Sequence, residues 1–307
     1  MNYTMMTDFY ELTMANGYFL SGKKDEIVYF DLYYRDVPDR GGFAIFAGLK
    51  DIVEYIQNLK FTKKDIDFLR SKNIFSEEFL KYLKDFKFSG DIYAMPEGSV
   101  FFPGEPVITV RAKAIEAQLI DTYVLTVFKH QALIATKANQ VVRAAKGRVV
   151  SEFGARRAHG AEAAYKGARA AYIGLVNSTS NTLADVLFGI PASGTMAHSW
   201  VQMFDTELEA FETYCKMYPN NSLLLIDTYD TLKQGIYNAI KAFDNILKPL
   251  GKRPLGVRID SGDLAYQSKQ LRKILDKAGL SLIHISEPTR LLSISYAVFC
   301  LKKKTKS

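Results

Sequence analysis

Five short apolar runs in the second half of the chain each end in polar residues suited to binding anions. They present Glu152 with Arg156 and Arg157, Asn177 to Asn181, His198, Asp227 with Asp230, and Arg258 with Asp260 and Asp263. Arginine grips a carboxylate or phosphate through paired N–H groups, and a hydrogen bond of this charged kind is worth roughly 1.5–3 kcal/mol. Aspartates can hold Mg²⁺ through its waters, because this ion dehydrates reluctantly. Together the set suits an anionic, phosphorylated substrate held with a divalent metal, and phosphate chemistry rather than proteolysis. The sequence contains no GxxxxGK[ST] loop, no GxGxxG after a first strand, no HExxH and no GxSxG, so those ways of handling nucleotide, metal or acyl group are excluded. His198 has no Ser or Cys nucleophile specified beside it. On its residues alone it reads first as a structural histidine.

These residues need elements that bring strand ends together. After Gly147 short apolar strands alternate with helices, the rhythm of a parallel α/β structure, in which chemistry gathers at the C-terminal ends of the strands. The expected strands are RVVSEFG, AYIGLVNS, IPASGTMAHS, SLLLIDTYD and LGVRIDSGD, with helices over Thr231–Lys248 and Asp263–Ala278. Before them, an Ala-rich helical region is expected over residues 115–146. The N-terminal part mixes both classes. Glu26–Tyr34 alternates Val28, Phe30 and Leu32 with Ile27, Tyr29 and Tyr33, as a buried strand would. Leu49, Ile52, Val53 and Ile56 follow helical spacing, and Ser76 is placed to cap a helix carrying Phe79, Leu80 and Leu83. Gly98–Arg111, with Pro103-Gly104 at its middle, reads as a hairpin. The expected division is an N-terminal α+β domain over residues 1–115, a partial α/β barrel over 116–279, and a segment apart over 280–307.

Composition bounds the partners. The chain has 307 residues, 48% hydrophobic and 24% charged, which is enough to bury a barrel-sized core. Cys215 and Cys300 form no CxxC pair and have no histidine at ligand spacing, so neither a disulfide framework nor a zinc site is expected. No apolar run reaches 18 residues and the start lacks a secretory pattern, so the expectation is no membrane and a cytoplasmic location. The formal net charge is +7, but in residues 280–307 five basic side chains (Arg290, Lys302, Lys303, Lys304, Lys306) stand against Glu287 alone. The rest carries only a small excess, which argues against nucleic acid as a partner.

Eight stretches, TDFYELTM, FDLYYRDVPDRGGFAIFAGL, PEGSVFFPGEPVITV, SEFGARRAHG, NSTSNTLAD, GTMAHSW, LIDTYDT and GVRIDSGD, resemble nicotinate phosphoribosyltransferases in the same order and over nearly all of residues 3–279. The resemblance implies a type II phosphoribosyltransferase fold, an irregular TIM-like α/β barrel (incomplete here) joined to an N-terminal α+β domain, and a homodimer with sites near its interface. By motif, Tyr10 resembles the tyrosine that stacks on the pyridine ring from the partner subunit, and Phe153 the aromatic on its other face. Arg156 resembles the residue that meets the nicotinate carboxylate, with Ser180 and Asn181 nearby. An acidic residue in this stretch would favour nicotinamide, and its absence favours the acid. His198 resembles the histidine transiently phosphorylated by ATP, which replaces its structural reading. Asp227, Arg258 and Asp260 resemble residues around ribose, pyrophosphate and Mg²⁺, with Asp227 or Asp260 reaching the metal through water. Arg35 resembles a phosphate contact across the dimer. The implied reaction joins nicotinate to 5-phosphoribosyl 1-pyrophosphate, giving nicotinate mononucleotide and pyrophosphate with ATP as co-substrate.

After LRKILDKAGL the pattern departs from the family, whose further strand–helix units include a glycine-rich turn for the 5-phosphate. LSLIHISEPTR, Leu280 to Arg290, followed by ISYAVFCLKKK, resembles the conceptual translation of a sequencing adapter with a poly-A end. A chain truncated near residue 279 is therefore expected, and residues 280–307 are set apart from the fold. For the chain as it stands the expectation is an inactive remnant that only binds ligand or dimerises, and a nicotinamide or quinolinate phosphoribosyltransferase is kept open as the alternative activity.

Overall fold

The computed structural model describes residues 2–37, 41–280, 284–289 and 299–302. Residues 38–40 of the FDLYYRDVPDRGG stretch and the lysines beyond residue 302 lie outside the described residues. The chain divides into two compact units, residues 1–139 and 140–307, with the division inside one long helix.

In the first unit the helical and strand patterns produce α1 (Phe9–Leu20), β1 (Ile27–Leu32), β2 (Ala44–Ile45), α2 (Leu49–Gln57), α3 (Lys63–Arg70), α4 (Glu77–Lys84), β3 (Asp91–Ala94), β4 (Val100–Phe101), β5 (Ile108–Lys113) and α5 (Ala114–Ala144). Ser76 caps α4 as its position requires, its hydroxyl accepting the Phe79 N–H at 3.2 Å. Phe79, Leu80 and Leu83 are fully buried with Phe46, Phe101 and Phe128. Each such side chain contributes about 1.5–3 kcal/mol by leaving water. β1 pairs with β5 and β5 with β3, all antiparallel. The alternation in β1 is one-sided: Leu32 is buried, whereas Ile27 and Tyr29 are exposed, as suits an antiparallel sheet with one open face.

The hairpin expected around Pro103-Gly104 does not form. The turn itself is present, with Gly104 at φ 78°, but β4 pairs with β2 and not with β5. Two local bonds explain this. The Phe102 N–H donates to the Glu105 carboxylate at 3.0 Å, and the Val107 N–H donates to the Leu32 carbonyl at 2.8 Å. The donors that would zip the hairpin are thereby used elsewhere, and β5 starts on β1.

The second unit contains β6 (Val149–Glu152), α6 (Ala161–Ile173), β7 (Ser178–Thr179), α7 (Thr182–Phe188), α8 (His198–Gln202), α9 (Glu207–Met217), β8 (Leu223–Leu225), α10 (Ile236–Ala242), β9 (Gly256–Arg258), α11 (Leu264–Lys277), β10 (His284–Thr289) and β11 (Phe299–Lys302). Wider π-helical turns, Thr231–Gly235 and Phe243–Leu247, flank α10. Two expected strands shrink. Most of AYIGLVNS is the end of α6 and the turn after it, because its alanines favour helix, and Ala170 and Ala171 are fully buried. IPASGTMAHS makes one parallel bridge, Thr179 to Ala192, since Pro191 cannot donate to a ladder and Gly194 adds no side chain.

The sheet order is β7-β6-β11-β10-β9-β8. β6 and β7 are parallel, as are β8, β9 and β10, while β11 runs antiparallel to both its neighbours. Thus β10 and β11, from the segment set apart on sequence, occupy the places between β9 and β6, where open strand edges invite pairing. Residues 192–198 reach from the β7 edge to the ends of β8 and β9. They bridge Thr179 through Ala192 and accept hydrogen bonds from Arg258 at 3.1 Å through Thr195 and Met196. The sheet therefore curls on itself as an irregular α/β barrel. Its helical side is filled by Phe211, Leu224, Ile236, Val257 and Leu271.

Candidate active site

β8 ends in a buried apolar run, Leu223 to Ile226, and delivers Asp227 at its C-terminal end with a side chain only 1% exposed. One carboxylate oxygen, Oδ2, accepts the Asp260 N–H at 2.7 Å and the Ser261 hydroxyl at 2.6 Å, tying the β8 end to the β9 end. The other oxygen, Oδ1, is buried and has no hydrogen-bond partner among the described residues. It lies 4.0 Å from Nε2 of His198, the first residue of α8. On the other side of that ring, Nδ1 is 3.1 Å from the Thr228 hydroxyl. A charge on the histidine would therefore meet a fixed, dry carboxylate.

Arg258 closes the group. Its Nη1 donates to the Thr195 hydroxyl and the Met196 carbonyl, each at 3.1 Å, and its Nη2 donates to Asp260 Oδ2 at 2.5 Å. Its buried Nε has no partner among the described residues. Asp230 and Asp263 serve the fold instead. Asp230 accepts the N–H groups of Leu232 and Lys233, and the latter bond above all lowers its pKa. Asp263 accepts the Tyr266 N–H at 2.9 Å.

A second cluster forms where β6 and β7 end. Glu152 is buried, its Oε2 accepting the Thr179 hydroxyl at 2.8 Å and its Oε1 the Gly154 N–H. Burial raises its pKa, and these two bonds oppose the shift. Through them Glu152 holds the turn that carries half-buried Phe153 and exposed Arg156 beside the loop carrying Ser180, whose N–H donates to the Glu152 carbonyl at 2.9 Å. Asn181 caps α7, its Oδ1 accepting from Leu183 and Ala184. Only its N–H groups are left for a ligand.

The structure thus brings His198, Asp227, Arg258 and Asp260 into one constellation and places Phe153, Arg156, Ser180 and Asn181 on neighbouring strand ends of the same unit. Tyr10 and Arg35 belong to the first unit. Tyr10 is 52% exposed near the start of α1, its hydroxyl pushed up to about 12 chiefly by its hydrogen bond to Glu11. Arg35 is exposed just after β1. Sequence reasoning passed over Thr195, Thr228 and Ser261, although the last two directly follow Asp227 and Asp260. It also passed over Gly235, where an added Cβ would lie 1.9 Å from the Ile226 carbonyl; only glycine lets the helix after β8 seat against the strand end that presents Asp227. Among the described residues no group of three or more His, Cys, Asp or Glu side chains is arranged to hold a metal, and no helix is long and apolar enough to cross a membrane.

Comparison with known proteins gives this arrangement a family. Two family models match, the nicotinate phosphoribosyltransferase N-terminal domain over residues 5–129 and the nicotinate phosphoribosyltransferase family over residues 149–284. A nicotinate phosphoribosyltransferase of Mycobacterium tuberculosis is 45% identical over 283 residues, covering 92% of this chain and 60% of the relative. That of Bacillus subtilis is 43% identical over 280 residues, covering 91% and 56%. The chain therefore spans somewhat less than two thirds of these relatives' length. The crystal structure of human nicotinic acid phosphoribosyltransferase matches with a TM-score of 0.84 at 28% identity, over 96% of this chain and 74% of that one. A nicotinate-nucleotide pyrophosphorylase from Pyrococcus furiosus, with a TM-score of 0.77 at 21% identity, shares the fold. With both units matched in order by models of one family, the chain belongs to the nicotinate phosphoribosyltransferases.

Proposed function

We propose that the chain transfers a phosphoribosyl group from 5-phosphoribosyl 1-pyrophosphate to the ring nitrogen of nicotinate, coupled to ATP through His198. The observation that carries this reading is the His198–Asp227 pair beside Arg258 and Asp260. Asp227 can only accept, so the imidazole turns an N–H toward it and leaves the nitrogen beside Thr228 with a lone pair. That nitrogen attacks the γ-phosphorus of ATP, the bond to the β,γ-bridging oxygen breaks and ADP leaves, and the buried carboxylate stabilises the cationic ring that results. Arg258 stabilises charge on the departing pyrophosphate as C1 of the sugar gains oxocarbenium character. Phe153 offers a face to the flat pyridine ring, and Arg156 a charged partner to its carboxylate. Tyr10 and Arg35 complete the pocket of the partner subunit in a homodimer.

The donor set also fits Mg²⁺. Asp260, the more exposed carboxylate of the group, would hold the ion through its waters, with substrate oxygens as other ligands, while Asp227 Oδ1 stays turned to His198. When bound, the ion neutralises pyrophosphate charge.

The test is formation of mononucleotide product by the purified chain from each of nicotinate, nicotinamide and quinolinate with 5-phosphoribosyl 1-pyrophosphate. The expected result is a kcat/KM for nicotinate at least about tenfold above the other two, the worth of one charged hydrogen bond. Equal use of nicotinamide would overturn the assignment of Arg156.

A further inference from the structure

We infer that Ser193 is a further binding residue of this site, the outer end of a buried hydroxyl chain that donates to the nicotinate carboxylate. This rests on the proposed reading of the site. Ser151 and Ser178 face each other across β6 and β7, with their hydroxyl oxygens 2.7 Å apart. Ser178 in turn lies 2.8 Å from Ser193. Three hydroxyls carry three hydrogens, and the two bonds of the chain consume two of them. The third is spare either at one end or on Ser178, which is itself buried.

Burial decides where. Ser151 is 0% exposed and makes no other hydrogen bond among the described residues. A spare hydrogen there would be a buried donor without an acceptor, which proteins avoid. Ser193 is half-buried. The chain therefore runs from Ser151 through Ser178 to Ser193, and its free donor emerges at Ser193. Chains of this kind polarise in one direction, which makes the last hydroxyl a better donor than an isolated serine.

The surroundings of Ser193 identify the acceptor. Its backbone N–H donates to the Thr179 carbonyl at 2.8 Å, which sets it beside Ser180. Two residues further on, Thr195 accepts from Arg258. The polar groups that the β6 and β7 loops hold out here are donors: the Arg156 guanidinium, the Asn181 N–H groups left by its capping bonds, and Ser193. The carboxylate in reach, Glu152, has both oxygens engaged by Thr179 and Gly154. Such an end offers donors to both oxygens of a carboxylate.

Equilibrium titration of the purified chain with nicotinate, and separately with 5-phosphoribosyl 1-pyrophosphate, tests this. Ser193→Ala is expected to weaken nicotinate about tenfold or more, the loss of one hydrogen bond to a charged group, with phosphoribosyl pyrophosphate binding unchanged. Ser193→Thr keeps the hydroxyl and should restore affinity, and Ser193→Cys, of similar size but a weak donor, should not. Ser151→Ala should lower the melting temperature and weaken nicotinate less than Ser193→Ala does, since it removes the polarisation along the chain but not the donor itself. Unchanged nicotinate affinity in Ser193→Ala, or an equal loss in Ser151→Ala, would overturn the inference while leaving the proposed function standing. A wild-type chain that binds phosphoribosyl pyrophosphate but not nicotinate would overturn both.

Discussion

Replacing Asp227 with asparagine separates what this side chain does for the fold from what it does for His198. Oδ2 accepts two hydrogen bonds, from the Asp260 N–H and the Ser261 hydroxyl, whereas Oδ1 is aimed at His198 without a hydrogen bond. An asparagine oxygen can take over the first task. Its amide then faces His198 Nε2, where it donates instead of accepting, and the ring must turn its other N–H toward Thr228. The nitrogen with the free pair is then the wrong one, and the cationic ring loses its counter-charge. At 4.0 Å a unit charge pair is worth from about 1 kcal/mol in water to about 4 kcal/mol at an effective dielectric of ~20. His198 is 40% exposed, so we take about 2 kcal/mol, or a roughly 30-fold fall in ATP-driven phosphorylation. Stability should stay within about 1 kcal/mol of wild type, because the accepting oxygen survives. Asp227→Ala, in contrast, strands the Asp260 N–H at a cost of about 1–3 kcal/mol, with Ser261 exposed enough to turn to water. Phosphohistidine formation from labelled ATP and thermal melting read the two effects. An Asp227→Asn chain that is phosphorylated at the wild-type rate, or that melts as early as Asp227→Ala, would refute the reasoning.

Three further outcomes follow. Glu152, its carboxyl raised by burial, holds its proton more tightly folded than unfolded; that contribution to stability is present below the unfolded pKa and is lost as pH rises through the folded one. Glu152→Gln cannot ionise, so its melting temperature should gain on wild type as pH rises above the ordinary carboxylate range, and a gap constant with pH would contradict this. Cys215 is fully buried, with its thiol pushed up to about 11 by that burial, so iodoacetamide should label its peptide, followed by mass spectrometry, only after denaturation. Arg156→Ala should cut kcat/KM for nicotinate about ten- to a hundredfold and leave the poor use of nicotinamide unchanged, as steady-state kinetics with both substrates would reveal.

The strand ends that carry the candidate site were legible because they are written locally. SLLLIDTYD and LGVRIDSGD place apolar residues before carboxylates, and the structure turns both into β8 and β9 with Asp227 and Asp260 at their ends. Ser76 was legible as a cap for the same reason. Pairing was not, because it is decided by partners distant in sequence: β4 and β5 flank a genuine turn but find β2 and β1 instead of each other. AYIGLVNS failed in another way, since alanines packed in the second unit prolong α6 over a stretch that hydropathy alone reads as a strand. The division of labour among the aspartates also needed coordinates. Asp230 and Asp263 look on sequence like Asp227 and Asp260, yet they cap helices, while Asp227 keeps an oxygen free.

The measurement that tests the account most directly is the location of phosphate after the chain is incubated with ATP. Acid-labile phosphate should be found on the peptide containing His198 and nowhere else, should be lost in His198→Ala, and should be discharged when nicotinate and 5-phosphoribosyl 1-pyrophosphate are added. Mononucleotide formation coupled to ATP hydrolysis, with the label on another residue or with His198→Ala fully coupled, would contradict it.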